Sequence, residues 1–353
     1  MRKLLLFIII FVSVFLSSCE SFNAPASKTV FTGVATDITH CSANLQLKVS
    51  EEINLLDLKG KNASCVMIAK SKEEIVARTG ERSSGAVLVG EHELWVSFED
   101  LTPETKYFYC AVVAVNGYRG TPEEYYAYEY GEIESFTTLP LPTISLDDLS
   151  AADGYDNNQE YVDLGLSVKW ATCNLGAAKP ENFGDCFAWG EVNPKETYDM
   201  QTYKWYDVNT SKYTKYCTNG DWGTIDNKCV LEKEDDAATV NWGGNWRIPT
   251  TEEVKEIVTK CTWNFSILNN VEGYKVTGPN GHSIFLPIAS VRSDESFQLI
   301  HPSSVGYSIY WTSSLYADSP EVAWCLSLRF NSKEMNLCEF RCVGSSIRPV
   351  SHK

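Results

Sequence analysis

The sequence predicts two folded domains: an all-β, immunoglobulin-like sandwich, followed by an α+β domain that is rich in loops. A chain of 353 residues is longer than one ordinary core, and its 44% hydrophobic residues are enough for folded domains. Short runs that alternate apolar and polar residues fill residues 29–138, as in an antiparallel sandwich. After residue 160, nine of the ten tryptophans accompany long loops and one helical stripe.

The N-terminus has the features of an export signal. It reads "MRKLLLFIIIFVSVFLSSCESF", in which Arg2 and Lys3 precede an apolar run over residues 4–16 that is too short to span a bilayer. Residues 1–18 are therefore predicted to be a signal peptide.

The string "LSSC" that ends this segment resembles the lipobox of bacterial lipoproteins. The resemblance implies cleavage before Cys19 and acylation of its thiol. Each acyl methylene that enters a bilayer contributes about 0.8 kcal/mol, so Cys19 would anchor the chain to a membrane through a tether over residues 19–28. Glu20 after the cysteine implies the outer membrane. We expect a surface-exposed lipoprotein, while a periplasm-facing one and a plain secretory signal stay open.

The charge of the chain excludes some partners. It has 46 acidic against 30 basic residues, a formal net charge of -16, and removal of Arg2 and Lys3 with the signal peptide lowers this to -18. A surface this acidic repels nucleic acids and anionic lipids. We therefore expect no nucleic-acid partner.

The most specific signal in the first domain is "LTPETKYFYCAVVAV". Leu101, Pro103, Thr105 and Tyr107 have the spacing L-x-P-x-T-x-Y, and alternating apolar residues follow them. This resembles the tyrosine corner of a fibronectin type III domain, in which the tyrosine hydroxyl bonds to upstream backbone. The resemblance covers residues 29–138. Domains of this kind are spacers or interaction surfaces, and nothing in this one suggests chemistry.

The first domain contains an odd number of cysteines, Cys41, Cys65 and Cys110, so they cannot all pair with one another. Cys65 and Cys110 lie on strands predicted to be neighbours, on the sheet face opposite Tyr107. A cross-strand bridge and two inert thiols both stay open. Residues 139–159 follow, with prolines at one end and Asp, Asn and Gly at the other, and are predicted to be a linker.

One helix is predicted in the second domain, which covers residues 160–353. In "PTTEEVKEIVTKCTW", Thr250 or Thr251 can cap the helix, acidic residues occupy its first turn, and Val254, Ile257, Val258 and Cys261 form one apolar stripe. A hairpin is predicted in "YKVTGPNGHSIFLPIAS", with its turn at Asn-Gly and a proline at its end.

Six strings in this order identify a family resemblance: "YVDLGLSVKWATCNLGA", "ENFGDCFAWGE", "NWRIPTTEEVKEI", "GPNGHSIFLPIAS", "YWTSS" and "FRCVGSSIRPV". They resemble the Fibrobacter succinogenes major paralogous (FISUMP) domain of Bacteroidetes surface lipoproteins. The resemblance implies a C-type-lectin-like fold and a surface setting, and it implies no particular reaction. Within the first two strings, residues 161–191, we interpret the glycines as turns and Trp170 and Trp189 as core.

Sites of known chemistry are not recognisable in this domain. The calcium loop of sugar-binding C-type lectins would need Glu-Pro-Asn, whereas the chain has Pro180-Glu181-Asn182, in another order and too early. Cys338 and Cys342 could in principle hold copper, but they lack the flanking residues of the enzymes that do so. No HExxH or GxSxG string occurs. We expect no metal, no cofactor and no catalytic residue; a pair of acidic residues acting on glycans stays open.

The eight cysteines of the second domain leave the disulfide state open. Cys173 with Cys186, and Cys217 with Cys229, would close short loops, and Cys338 and Cys342 could form a structural bridge. Free thiols are the alternative for all of them.

The best candidate for a ligand surface is the aromatic stretch "ETYDMQTYKWYDVNTSKYTKYCTNGDWG". Aromatic rings in loops can stack on sugar rings or on protein partners. The alternative is that the rings pack on one another under the loop. The residues that we predict to contact a ligand are Tyr203, Trp205, Tyr206, Asp207, Tyr213 and Trp222.

The leading functional hypothesis is a lipid-anchored surface protein that binds a glycan or another protein through its second domain and is not an enzyme. An accessory or tip subunit of a surface appendage or envelope complex is the alternative. An enzyme acting on glycans or peptides would need a cleft with convergent catalytic side chains.

Overall fold

The computed structural model describes residues 29–57, 64–83, 87–117, 126–288, 291, 308–330 and 332–353, without the side chains of residues 115–117, 126–127 and 336–338. The predicted signal peptide, the tether and Cys19 lie outside the described residues. The chain divides into two compact units, the first up to Leu141 and the second from Pro142 to Lys353. Each unit has its own buried core.

The first unit is a sandwich of two antiparallel sheets. Its strands are β1 (Val30–Thr36), β2 (Ala43–Val49), β3 (Ser64–Ala69), β4 (Glu81–Arg82), β5 (Val87–Leu88), β6 (Glu93–Phe98), β7 (Lys106–Gly117), β8 (Tyr126–Tyr130) and β9 (Glu134–Thr137), with a short helix α1 (Lys72–Val76). One sheet has the order β1-β2-β6-β5, and the other has the order β4-β3-β7-β8 with β9 also paired to β7. This strand order confirms the prediction of a fibronectin type III-like sandwich.

The predicted tyrosine corner is present. The Tyr107 side chain is buried, and its hydroxyl accepts a hydrogen bond from the backbone N–H of Thr102 at 2.9 Å. The ring stacks on Phe136 with 5.7 Å between centroids. The corner therefore joins the chain segment before β7 to the core between the sheets.

Replacing Tyr107 with Phe is expected to lower the free energy of unfolding of the first unit by about 1 kcal/mol, because one backbone donor loses its acceptor. The measurement is hydrogen exchange of the β7 amides. Tyr130→Phe is the matched control, because the buried Tyr130 hydroxyl has no hydrogen-bond partner among the described residues. Equal effects of the two substitutions would contradict a stabilising corner.

The second face of the sheet that contains β3 and β7 is also buried. Cys65 and Cys110 lie there, opposite Tyr107 as predicted, and pack with Ile75 of α1. The two cysteines are free thiols, and burial raises the pKa of Cys110 to about 12. Thiols with so little thiolate at neutral pH are inert packing groups.

The second unit is built mainly from strands. They are β10 (Thr143–Ile144), β11 (Gly154–Asp156), β12 (Gln159–Val162), β13 (Val168–Ala171), β14 (Tyr206–Asp207), β15 (Lys212–Tyr213), β16 (Thr262–Leu268), β17 (Val271–Thr277), β18 (Ser283–Pro287), β19 (Ser308–Leu315), β20 (Val322–Arg329), β21 (Ser332–Phe340) and β22 (Val350–His352). Two α-helices, α2 (Ala237–Trp242) and α3 (Thr251–Lys260), accompany them. The sheets have the orders β10-β16-β17-β18, β11-β12-β13-β22, β14-β15 and β19-β20-β21.

The second unit begins earlier than the sequence indicates. We assigned residues 139–159 to a linker, but β10 pairs in parallel with β16, and β11 pairs with β12. β10 has two residues and its partner follows more than 100 residues later, so local composition does not reveal that pairing. β11 and β12, in contrast, form a local hairpin whose turn is Asn157-Asn158, both with positive φ, so the Asp, Asn and Gly cluster is a turn and not a linker. Only residues 139–141 of the predicted linker belong to the first unit.

Residues 161–191 are scaffold, as predicted. Val162, Leu164, Leu166 and Val168 alternate along the chain and are all buried, and Trp170 and Trp189 are 2% and 1% exposed. The predicted helix and hairpin are also confirmed. Thr250 caps α3 through a capping box with Glu253, and the hairpin between β17 and β18 turns at Asn280 and Gly281.

Candidate binding surface

The aromatic loop, residues 198–222, carries both buried and exposed rings. Its buried rings are Tyr198, Tyr203 and Tyr213, each 2% exposed, and Tyr216 at 0%. Trp205 and Tyr206 are half-buried, whereas Trp222 is 42% exposed. Tyr203 and Tyr213, two of the predicted ligand contacts, therefore do not belong to an exposed surface.

Arg341 explains why these rings turn inward. Its side chain is fully buried, and its guanidinium lies 4.7 Å from the centroid of the Tyr213 ring and 5.3 Å from that of Tyr203. Nε donates to the Tyr203 hydroxyl at 2.9 Å, and Nη1 and Nη2 donate to the backbone oxygens of Tyr216 and Lys215 at 3.1 and 3.0 Å. Rings and backbone oxygens of the loop thus take the place of water around the guanidinium.

An ion cluster holds the other side of the loop. Asp235 is 2% exposed and accepts from the Tyr216 hydroxyl at 2.8 Å, and its carboxylate lies 2.5 Å from Lys215 Nζ. Lys215 also contacts Glu232 at 2.5 Å. Burial opposes the charge of Lys215, but these carboxylates outweigh it and raise its pKa, while Lys215 and Lys228 lower the pKa of Glu232 to about 2. These contacts tie the aromatic loop to residues 232 and 235, and we call the loop supported in this way the platform.

The outward side of this platform carries three side chains in a row. β14 and β15 pair Asp207 with Lys212, and Tyr213 pairs with Gly223 in a parallel bridge. Because strand side chains alternate, the face opposite the buried Tyr213 holds Asp207, Lys212 and, one residue before the bridge, Trp222. We call these three residues the outward row.

Asp207 and Lys212 of the outward row each have defined hydrogen-bond partners. Asp207 accepts a hydrogen bond from the backbone N–H of Asn209 at 2.9 Å, and this bond lowers the pKa of Asp207, so the carboxylate stays ionised. Lys212 Nζ donates to the backbone oxygen of Gly220 at 3.4 Å and also to that of Asp221. The row combines an aromatic face for stacking with a carboxylate that accepts hydrogen bonds from hydroxyl groups.

Trp205 and Tyr206 do not belong to the outward row, because both side chains pack against other residues of the second unit. The Trp205 indole N–H donates to the backbone oxygen of Gly190 at 2.8 Å, and Lys204 Nζ lies 4.1 Å from the ring centroid. Tyr206 meets Tyr213 edge to face at 5.3 Å. Of the six predicted ligand contacts, the structure therefore brings only Asp207 and Trp222 onto one outward face. Lys212 was not predicted, because strands of two residues give no usable alternation.

The cysteines of the second unit are largely thiols. Cys173, Cys217, Cys229 and Cys342 are free, and Cys217 Sγ donates to the backbone oxygen of Asn219 at 3.1 Å. The short bridges considered from the spacing, Cys173 with Cys186 and Cys217 with Cys229, are therefore not formed. The side chain of Cys338 lies outside the described residues.

Within the described ranges, no group of three or more His, Cys, Asp or Glu side chains could hold a metal ion. His282 Nδ1 lies 3.1 Å from an Asp153 carboxylate oxygen in the exposed turn before β18. No helix in the described part of the chain is long and apolar enough to cross a membrane.

Comparisons with known proteins give weak structural similarities. No family model and no curated protein matches the sequence. The sensor domain of the anti-sigma factor RsgI4 from Pseudobacteroides cellulosolvens is 14% identical, covers 34% of this chain and 99% of its own, and has a TM-score of 0.21. A fibronectin type III domain from human KIAA0970 is 22% identical, covers 33% and 77%, and has a TM-score of 0.20. The order of strands in the first unit, and not these similarities, supports its fibronectin type III-like fold.

Proposed function

We propose that this chain is a lipid-anchored protein of the outer membrane whose second unit binds a glycan and catalyses no reaction. The observation that carries the proposal is the outward row. It presents the indole of Trp222, 42% exposed, on the same face as Lys212 and the Asp207 carboxylate, over a loop in which Tyr203, Tyr213 and Tyr216 are buried. Sugar rings stack on such indoles, and their hydroxyls donate to such carboxylates.

The platform favours binding because little entropy is lost when a ligand arrives. Arg341 and the ion cluster around Lys215 already hold the backbone on both sides of the outward row. Preorganised surfaces of this kind retain more of the contact energy as affinity.

The finer fold assignment belongs to the same proposal. We propose that the second unit is a FISUMP domain with a C-type-lectin-like fold, as the order of the six strings implies. Arg348, in the last string, donates to the backbone oxygens of Ala171 and Thr172 at 3.1 and 3.0 Å and to Asn174 Oδ1 at 2.8 Å. These contacts join the last string to the first, which supports their origin in one folding unit.

A protein ligand is the second candidate. Val208, Ile225 and Val230, in the same region of the chain, are 51%, 53% and 53% exposed. Exposed apolar side chains such as these can take part in protein contacts. An accessory subunit of a surface assembly would bind through these residues.

The test is a glycan array with the chain from residue 19 onward, followed by titration of any ligand found. Trp222→Ala is expected to weaken binding at least tenfold, which corresponds to about 1.4 kcal/mol. Tyr155→Ala is the matched control, since Tyr155 is a 67% exposed aromatic residue on β11 of the same unit. Absence of any glycan ligand, or equal binding by the Trp222 variant, would exclude glycan recognition by the outward row and leave the protein candidate.

A further inference from the structure

One face of the sheet β1-β2-β6-β5 in the first unit carries exposed side chains, among them Phe31, Lys48 and Val87. Along β6, Leu94, Val96 and Phe98 are buried in the sandwich, so Glu93 and Trp95 point to the opposite face. The strand pairing aligns the neighbouring side chains with these two. We call this the outer sheet face.

The edges of the outer sheet face are apolar. Val87 pairs with Trp95, and Phe31 of β1 pairs with Lys48. Phe31, Val87 and Val89 are 46%, 70% and 64% exposed. Isolated exposed valines are ordinary, but here they flank a half-buried tryptophan on a single flat face.

The centre of the outer sheet face is polar and internally satisfied. Glu93 Oε1 accepts from Trp95 Nε1 at 2.8 Å and from Gln46 Nε2 at 2.5 Å, and Lys48 Nζ lies 3.8 Å from Glu93 Oε2. These residues carry one positive and one negative charge. Asn44, on the same face of β2, donates to an Asp37 carboxylate oxygen at 2.8 Å, so the outer sheet face carries little net charge on a chain with a net charge of -16. Its charged groups can stay at the level of the lipid headgroups while the apolar edges contact the bilayer.

The position of the anchor indicates which apolar phase this is. β1 begins at Val30, eleven residues after Cys19, and Phe31 lies one residue further along. Twelve residues span at most about 40 Å even when fully extended. An acylated Cys19 would therefore keep the first unit beside the bilayer, where the effective concentration of lipid is permanently high. A second copy of the chain would have to arrive by diffusion.

We propose that the outer sheet face lies against the lipid surface to which the chain is tethered, with Phe31, Val87 and Val89 as its contacts. The proposal rests on the anchoring part of the proposed function, and it is independent of the ligand of the second unit. The lipid surface must be neutral, because the acidic remainder of the chain repels anionic headgroups.

The experiment replaces the acyl anchor with a histidine tag at residue 19 of the otherwise complete chain. The tagged chain is bound to nickel-chelating vesicles of phosphatidylcholine, and hydrogen exchange is compared on vesicles and in solution. We expect exchange over residues 30–36 and 87–98 to be at least threefold slower on vesicles. Phe31→Ser, Val87→Ser and Val89→Ser combined should abolish this protection. The matched control combines Leu139→Ser, Leu146→Ser and Val240→Ser, three substitutions at residues that are 53%, 50% and 50% exposed elsewhere.

Unchanged exchange on vesicles would overturn the proposal. Protection that is present in solution and grows with protein concentration would overturn it in favour of a second copy, and protection in the dilute monomer would assign the face to another part of this chain. Acylation is tested separately in the untagged chain. The substitution Cys19→Ala should release that chain from membranes. Failure of the anchor and failure of the lipid contact therefore give different results.

Discussion

Replacing Arg341 with Ala is expected to lower the free energy of unfolding of the second unit by about 4 kcal/mol. The guanidinium donates to the backbone oxygens of Lys215, Tyr216 and Pro320, the last at 2.9 Å. Truncation leaves these buried acceptors without a donor, and each costs about 1–3 kcal/mol, in addition to the cavity that it opens among the rings. The measurement is urea unfolding followed by tryptophan fluorescence, because nine of the ten tryptophans lie in this unit.

Two further variants separate charge from geometry at this position. Arg341→Lys keeps the charge but cannot serve acceptors in several directions, so we expect it to recover less than half of the lost stability. Lys179→Ala is the control at an exposed basic residue of the same unit, and its effect should stay within about 0.5 kcal/mol. If Arg341→Ala and Lys179→Ala unfold at the same urea concentration, Arg341 does not organise the aromatic loop.

Local patterns in the sequence were sufficient to predict the buried scaffold. Alternation of apolar residues at 162–168 predicted that these side chains lie in the core, and the capping pattern at Thr250 predicted the start of α3; both are confirmed. The spacing around Tyr107 predicted the tyrosine corner. Each of these features depends on residues within one turn or one strand, so a short window contains all the information needed.

The candidate binding surface depends on contacts between residues that are far apart in the sequence. Tyr203 faces inward because of Arg341, which follows it by 138 residues. A polar, tyrosine-rich loop has the same composition whether its rings face solvent or surround a buried cation, so composition could not separate Trp222 from Tyr203. The β10 strand was missed for a related reason, since two residues acquire strand structure only by pairing with β16. Long-range contacts therefore decide which aromatic side chains of this loop are exposed.

Replacing Trp189 with Ala is expected to cost about 4 kcal/mol, as large-to-small substitutions of buried tryptophan do. The indole is 1% exposed, and its N–H donates to the backbone oxygen of Thr312 at 2.8 Å. Its ring meets Tyr216 edge to face at 5.1 Å and lies 5.1 Å from the Arg341 guanidinium. The loss of this one side chain removes a hydrogen bond, an aromatic contact and a cation–π contact, and the unfolding midpoint in urea, followed by circular dichroism, should fall accordingly.

Trp222→Ala supplies the matched control for this substitution, because it removes the same side chain from a 42% exposed position. We expect it to change the free energy of unfolding by less than about 1 kcal/mol. Because Trp189 and Arg341 are in contact, the double variant Trp189→Ala with Arg341→Ala should be less destabilised than the sum of the two single variants, by about 0.5–3 kcal/mol. Strict additivity would mean that the two side chains stabilise the unit independently. In that case Arg341 and the rings around it would not act as one cluster that supports the outward row.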